Sequence, residues 1–182
     1  MATKVFNTTA NYDNSIAKWI KGRKKENKLQ KTNKRLLRYG ENPHQKAFYI
    51  RKSLGNNFID SCIKKGKEIS YNNILDIDSA YNCVYEFKEP TCVIVKHNNP
   101  CGVASNKRII QAYKNAYKCD PISSFGGIVA INRKVDKKLA KIFSLNFFEI
   151  IVADSFDKKA TEIVNKRKNL ILIETKKIKK NN

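Results

Sequence analysis

No run of 18 or more consecutive apolar residues occurs in the 182-residue chain, so no segment is long enough to cross a bilayer as a helix. Met1 to Asn11 has neither the basic n-region nor the apolar h-region of a secretory signal, and the expectation is a cytoplasmic protein with no membrane partner. The five cysteines (Cys62, Cys83, Cys92, Cys101, Cys119) form no CxxC pair and are odd in number, which argues against a disulfide framework and against a zinc site. Reduced thiols are expected. Only two histidines are present, His44 and His97, far apart in sequence, so a metal centre would need an unusual ligand set and none is expected. Arginine is scarce too: 7 of the 37 basic residues, the other 30 being lysine. A reader of nucleic-acid sequence leans on arginine forks and interleaved aromatics, whereas lysine here is spread along the chain. No specific nucleic-acid partner is expected.

What the chain does have is a folding composition with an excess of positive charge. Hydrophobic residues make up 41% and aromatics 10%, too apolar for a wholly disordered chain, and the formal net charge is +21. Lysine, asparagine and isoleucine together supply 72 of the 182 residues. A composition bias on solvated faces accounts for this lysine content better than a nucleic-acid function does. Salt-sensitive, non-specific polyanion binding would follow from charge alone.

Apolar spacing and punctuation divide the chain. Ile16, Trp19 and Ile20 recur at helical spacing between Tyr12 and Asn27, with Asp13 or Asn14 placed to cap, and a basic linker follows over Lys21 to Lys34. Gln45 to Ile50 and Asn57 to Ile63 read as two strands of a hairpin around Ser53-Leu54-Gly55-Asn56. Ile77, Ala80, Tyr81, Val84 and Phe87 predict a helix that stops near Pro90, and Thr91 to Val95 is a buried strand. Alternation continues with a helix over Arg108 to Lys118, a strand over Ile128 to Ile131, and a helix over Asp136 to Ser144. A strand over Phe148 to Ala153, a helix over Lys158 to Lys166 and a strand over Leu170 to Ile173 complete it. Strands separated by such helices predict an α/β fold, with a parallel or mixed sheet covered on both faces. Lys176 to Asn182 reads as a basic tail.

Three loops carry residue types that are costly unless used. Arg38-Tyr39-Gly40-Glu41-Asn42-Pro43-His44-Gln45 is either a polar turn or a phosphate contact, with Arg38 as the planar cation and His44 as a second polar group. Val95-Lys96-His97-Asn98-Asn99-Pro100-Cys101-Gly102 follows the buried strand, where α/β sheets bind ligands beyond strand carboxyl ends. On a regular strand Lys96 and His97 point to opposite faces, so the turn has to bend the chain if both are to face one pocket. Such a pair suits acid-base chemistry. Asp120-Pro121-Ile122-Ser123-Ser124-Phe125-Gly126-Gly127 offers hydroxyls and paired glycines whose N–H groups can approach an anion or a ring.

Taken together, RYGENPHQ (Arg38 to Gln45), GKEISYNNILDIDSA (Gly66 to Ala80), VKHNNPCGVA (Val95 to Ala104) and CDPISSFGGIVAINR (Cys119 to Arg133) resemble a known family in order and spacing. It is the bifunctional purine-biosynthesis family that combines 5-aminoimidazole-4-carboxamide ribonucleotide (AICAR) formyltransferase with IMP cyclohydrolase. VFNTTANYDNSIAKWI (Val5 to Ile20) resembles the end of the family's cyclohydrolase domain. The resemblance implies residues 1–34 as that end plus the linker, 35–175 as the first transformylase subdomain, and 176–182 as a tail. It implies a cytidine-deaminase-like layered sheet with helices on both faces. It also implies formyl transfer from 10-formyltetrahydrofolate to the AICAR amine, without a metal.

By the same resemblance Lys96 and His97 match the pair at the centre of the chemistry, His97 managing the amine proton and Lys96 the developing negative charge. Arg38, Tyr39, Gly126 and Glu149 match nucleotide-binding positions, and His44 and Ser124 join them as substrate-binding candidates. The expected geometry brings Arg38, Lys96, His97 and Gly126 together at strand ends near Lys96 and Glu149, with Arg38 arriving from a second copy if the site spans a homodimer. Ala153-Asp154 departs from the family's usual Ala-Pro. The family usually extends further on both sides, so formyl transfer is expected only when a partner chain or complementing fragment supplies the rest. The alternatives are a nucleotide-binding remnant without catalysis and a basic polyanion-binding protein.

Overall fold

The computed structural model describes residues 2–20, 34–50, 62–64 and 68–175. The chain divides into two compact units, Met1–Lys34 and Arg35–Asn182. In the first, helix α1 (Ala2–Ile20) begins ten residues before the expected start at Tyr12, so Asp13 and Asn14 lie inside the helix and cap nothing. The Thr- and Ser-rich sequence is accommodated because Thr8 and Ser15 hydroxyls donate to the Lys4 and Asn11 carbonyls one turn back. Residues 21–33 of the expected helix end and linker lie outside the described residues.

The second unit opens with β1 (Lys34–Leu36) and β2 (Phe48–Ile50), which pair as a two-stranded sheet. Of the expected second hairpin strand Asn57–Ile63 only Cys62 and Ile63 are among the described residues, and there β3 (Cys62–Lys64) edges the large sheet, antiparallel to β8 (Ile171–Glu174), rather than pairing with β2. The expected turn at 53–56 lies outside the described residues.

The large sheet runs β3-β8-β7-β6-β4-β5, with β4 at Thr91–Lys96, β5 at Asn99–Ser105, β6 at Ile128–Ile131 and β7 at Ile150–Ala153. β6, β7 and β8 are parallel neighbours, joined through α4 (Lys137–Phe143) and α5 (Lys158–Val164). β4 runs antiparallel to β6. The sheet is therefore mixed and the fold α/β, as the helix and strand alternation predicts.

Each central strand is buried on both faces, which is why its sequence shows no polar alternation. Val93, Val95, Ile128, Ala130, Ile150 and Val152 pack against Ile77, Ala80 and Val84 of α2 (Tyr71–Tyr85). The opposite set, including Cys92, Ile94, Val129, Ile131 and Ile151, packs against α3 (Ile109–Cys119), α4 and α5. At the centre of that side the rings of Tyr113 and Phe143 meet edge to face at 4.9 Å.

β5 is an unexpected strand, because Asn99-Pro100-Cys101-Gly102 reads locally as a turn. Proline is tolerated there since β5 is the sheet's edge. The register slips between Ile94, paired with Gly102, and Val95, paired with Pro100, leaving Cys101 as the extra residue of a bulge. Gly102 is required by packing: a Cβ there would run into the Ala116 carbonyl oxygen of α3.

Candidate functional site

Because β4 opposes the parallel trio, its carboxyl end lies at the amino ends of β6 and β7: Val95 pairs with Ile128, and Ile128 with Ile150. The switch-point expectation is corrected accordingly. Lys96 does end a strand, whereas Glu149 and the Ser123–Gly127 loop precede strands, and all three reach the same sheet edge.

The turn that joins β4 to β5 decides where His97 goes. His97 and Asn98 both have positive φ, 52° and 61°, between the paired residues Lys96 and Asn99. Two consecutive left-handed residues match the right-handed twist of a hairpin, a conformation uncommon outside glycine that histidine and asparagine adopt more readily than most side chains. The bend brings Lys96 and His97 to one cleft of about 330 Å³, shared with Asn99, Pro100, Cys101, Asp120 and Ser123. Lys96 is half-buried and His97 exposed. Lys96 Nζ donates to the Phe125 carbonyl oxygen at 2.7 Å.

The facing loop is held by its own polar groups. Asp120 accepts from the Ser123 N–H at 2.9 Å and from the Ser123 hydroxyl at 2.6 Å, and the buried Ser124 donates its hydroxyl to the Asp120 carbonyl at 2.7 Å. Those bonds from Ser123 hold the Asp120 carboxyl below its ordinary range. Ser124 is thus spent on the loop itself. Gly126 has φ 77°, and its N–H donates to the Phe147 carbonyl at 2.8 Å. A Cβ on Gly127 would stand 2.9 Å from the Val95 carbonyl oxygen, so the glycine pair lets the loop close onto β4. The exposed rings of Phe125 and Phe147 lie 5.1 Å apart beside it. Burial, reinforced by the Asp120 charge, pushes the Cys101 thiol up.

Arg38 and Tyr39 do not line this cleft; they join the start of α2. The Arg38 N–H donates to the Ile69 carbonyl at 3.1 Å and the Tyr71 N–H to the Tyr39 carbonyl at 3.2 Å. The Arg38 guanidinium sits 4.5 Å from its neighbour's ring centroid, donates through Nη2 to the Tyr39 hydroxyl, and has a buried Nε with no partner among the described residues. His44 is exposed and lies outside both groups. Glu149 is held from α2, where Asn73 Nδ2 donates to its Oε2 at 3.0 Å while Asn73 Oδ1 closes the capping box with Ser70. The candidate residues therefore form two groups on one sheet edge, Lys96 and His97 in the cleft and Arg38, Tyr39 and Glu149 around the first turn of α2.

Two polar residues to which the sequence gives no role hold the fold. The buried Asn132 accepts from the Thr91 N–H at 2.9 Å and donates to the Phe87 and Glu89 carbonyls at 2.9 and 2.7 Å, fixing the corner that starts β4. Its place directly after the apolar run Ile128–Ile131 is the signal the sequence offers. Asp154 accepts from the Tyr85 hydroxyl and, at 3.3 Å, from Thr175. Burial and the bond to Asp154 push the Tyr85 phenol up.

Among the described residues no three His, Cys, Asp or Glu side chains gather as a metal would require, and no helix is long and apolar enough to cross a membrane. The family model described as AICARFT/IMPCHase bienzyme matches residues 1–182. The chain belongs to this family. Its relatives include three proteins each named "Bifunctional purine biosynthesis protein PurH". That of Caldicellulosiruptor bescii is 46% identical over 99% of this chain and 37% of the relative. That of Fusobacterium nucleatum is 47% identical over 97% and 36%, and that of Clostridium botulinum 47% identical over 95% and 35%. The chain thus spans little more than a third of the length of these relatives.

Proposed function

We propose that these 182 residues supply the Lys96–His97 part of an AICAR formyltransferase centre. The observation that supports the reading is the left-handed turn at His97 and Asn98, with Lys96 and His97 both lining one cleft. The AICAR amine is a poor nucleophile because its lone pair is delocalised into the ring and carboxamide. As its nitrogen attacks the formyl carbon of 10-formyltetrahydrofolate, His97 accepts the amine proton and Lys96 stabilises the oxyanion. The bond from carbon to the folate nitrogen then breaks, and the proton passes to that nitrogen. Arg38 and Tyr39 hold the nucleotide with Glu149, the Gly126 loop lies against it, and His44 is an outer contact.

The cytidine-deaminase-like relation, the homodimer, the cytoplasmic location and the division into a cyclohydrolase end and a transformylase subdomain enter this reading from the family resemblance. The test is formyl transfer to AICAR by the 182-residue chain, alone and with the remaining length of a relative's formyltransferase region added in trans. Turnover is expected only from the assembled pair, collapsing in Lys96→Ala and His97→Ala. Turnover that survives His97→Ala overturns the assignment. The separate grouping of Arg38, Tyr39 and Glu149 favours a second reading, nucleotide binding without catalysis. AICAR binding that is lost in Arg38→Ala, with no turnover in any assembly, supports that one.

A further inference from the structure

From the face that α2 turns to the β4–β5 turn, we infer that Asp76 is a positioning residue for His97. The inference rests on the reading of His97 given above, but it concerns how the imidazole is held rather than what it does. Two consecutive left-handed residues without a glycine carry a backbone cost that outside contacts can offset, and the N–H and Oδ1 of Asn98 both find partners on one helix. The Asn98 N–H donates to Asp76 Oδ1 at 2.6 Å, and the Ser79 hydroxyl donates to Asn98 Oδ1. Asp76 and Ser79 are three apart and so share a face of α2, with Asn73, three residues before Asp76, bonded to Glu149. One helix face therefore sets two site elements against the same edge of the sheet. The Asn99 side-chain amide donates to the His97 carbonyl at 2.9 Å and closes the turn from its other side. A carboxylate acceptor suits this post because a charge-assisted bond is about twice as strong as a neutral one.

Only two histidines are present, so NMR of the whole chain reads His97 with His44 as an internal control. In Asp76→Ala the Asn98 amide should lose protection from exchange by roughly tenfold and the His97 ring signals should shift. The His44 signals and the amides of Cys92 to Val95 should stay as they are. Asp76→Asn keeps the shape and an acceptor without the charge and should restore only part of the protection, whereas a space-filling role for Asp76 predicts full restoration by this isosteric residue. If Asp76→Ala fails to fold, Asp76→Asn and Ser79→Ala each remove part of the support and should loosen Asn98 severalfold. An Asn98 amide that keeps its protection in the folded variants, or His97 signals that stay in place, overturns the inference. Formyl transfer that survives His97→Ala would sink the functional reading and leave these amide measurements standing.

Discussion

Lys96 and Phe125 are joined by a hydrogen bond from the ammonium to the main-chain carbonyl, 2.7 Å long, which ties the end of β4 to the loop before β6. Lys96 also lines the cleft that His97 shares. Replacing Lys96 with Met keeps the stem and removes the charge. In the assembled enzyme formyl transfer should fall about a hundredfold or more, while the unfolding free energy changes by less than about 1 kcal/mol because the bond is exposed. Lys96→Arg should not restore activity, since a planar fork does not replace a compact point charge.

Asn132 should matter for stability and hardly at all for chemistry. Its side chain satisfies the Thr91 N–H and the Phe87 and Glu89 carbonyls inside the fold. Asn132→Ala strands the buried Thr91 N–H and takes a donor from the Phe87 and Glu89 carbonyls, and should cost about 2 kcal/mol in denaturant unfolding. Asn132→Asp should be worse at neutral pH, because it turns a donor into a second acceptor facing the same carbonyls.

The Asp120 carboxyl is depressed by hydrogen bonds from Ser123. A group depressed in the fold adds stability above its unfolded pKa and loses it as pH falls through the folded value. The 120–127 loop should therefore stay closed through the ordinary carboxylate range and open only below it. Ser123→Ala should raise the Asp120 titration toward its usual value, as read by carboxyl NMR. An unchanged titration would show that Ser123 is not the cause.

Gly102→Ala tests the contact between β5 and α3. The added methyl meets the Ala116 carbonyl oxygen, a backbone atom that cannot swing aside. Overpacking of this kind costs about 1–3 kcal/mol, seen as a lower urea midpoint at constant slope. A wild-type midpoint would mean that the edge strand can shift freely.

Net charge of +21 should give polyanion binding that is indifferent to sequence and falls by orders of magnitude as salt rises through roughly 50 to 200 mM. Sequence-selective binding that survives high salt would instead favour the polyanion-binding alternative.

Most of the element pattern follows from local sequence. Ile128–Ile131 and Ile150–Ala153 are short apolar runs between helical periodicities, and burial on both faces of a sheet is the ordinary way to hide such runs. The four motifs that carry the resemblance lie in order along the chain, and the match of the family model over residues 1–182 agrees with them. Strand direction and partner choice, in contrast, depend on contacts between residues distant in sequence. Nothing local in Asn99–Ser105 distinguishes an edge strand from a turn, and nothing in Cys62–Lys64 selects β8 over β2 as its neighbour. The antiparallel course of β4 puts Lys96 at the amino ends of the parallel strands, and the support that Asn98 receives from Asp76 accompanies the turn that brings His97 into the cleft beside it. Residue identity names the groups available for chemistry; only the backbone path and its long-range hydrogen bonds decide which of them share a site.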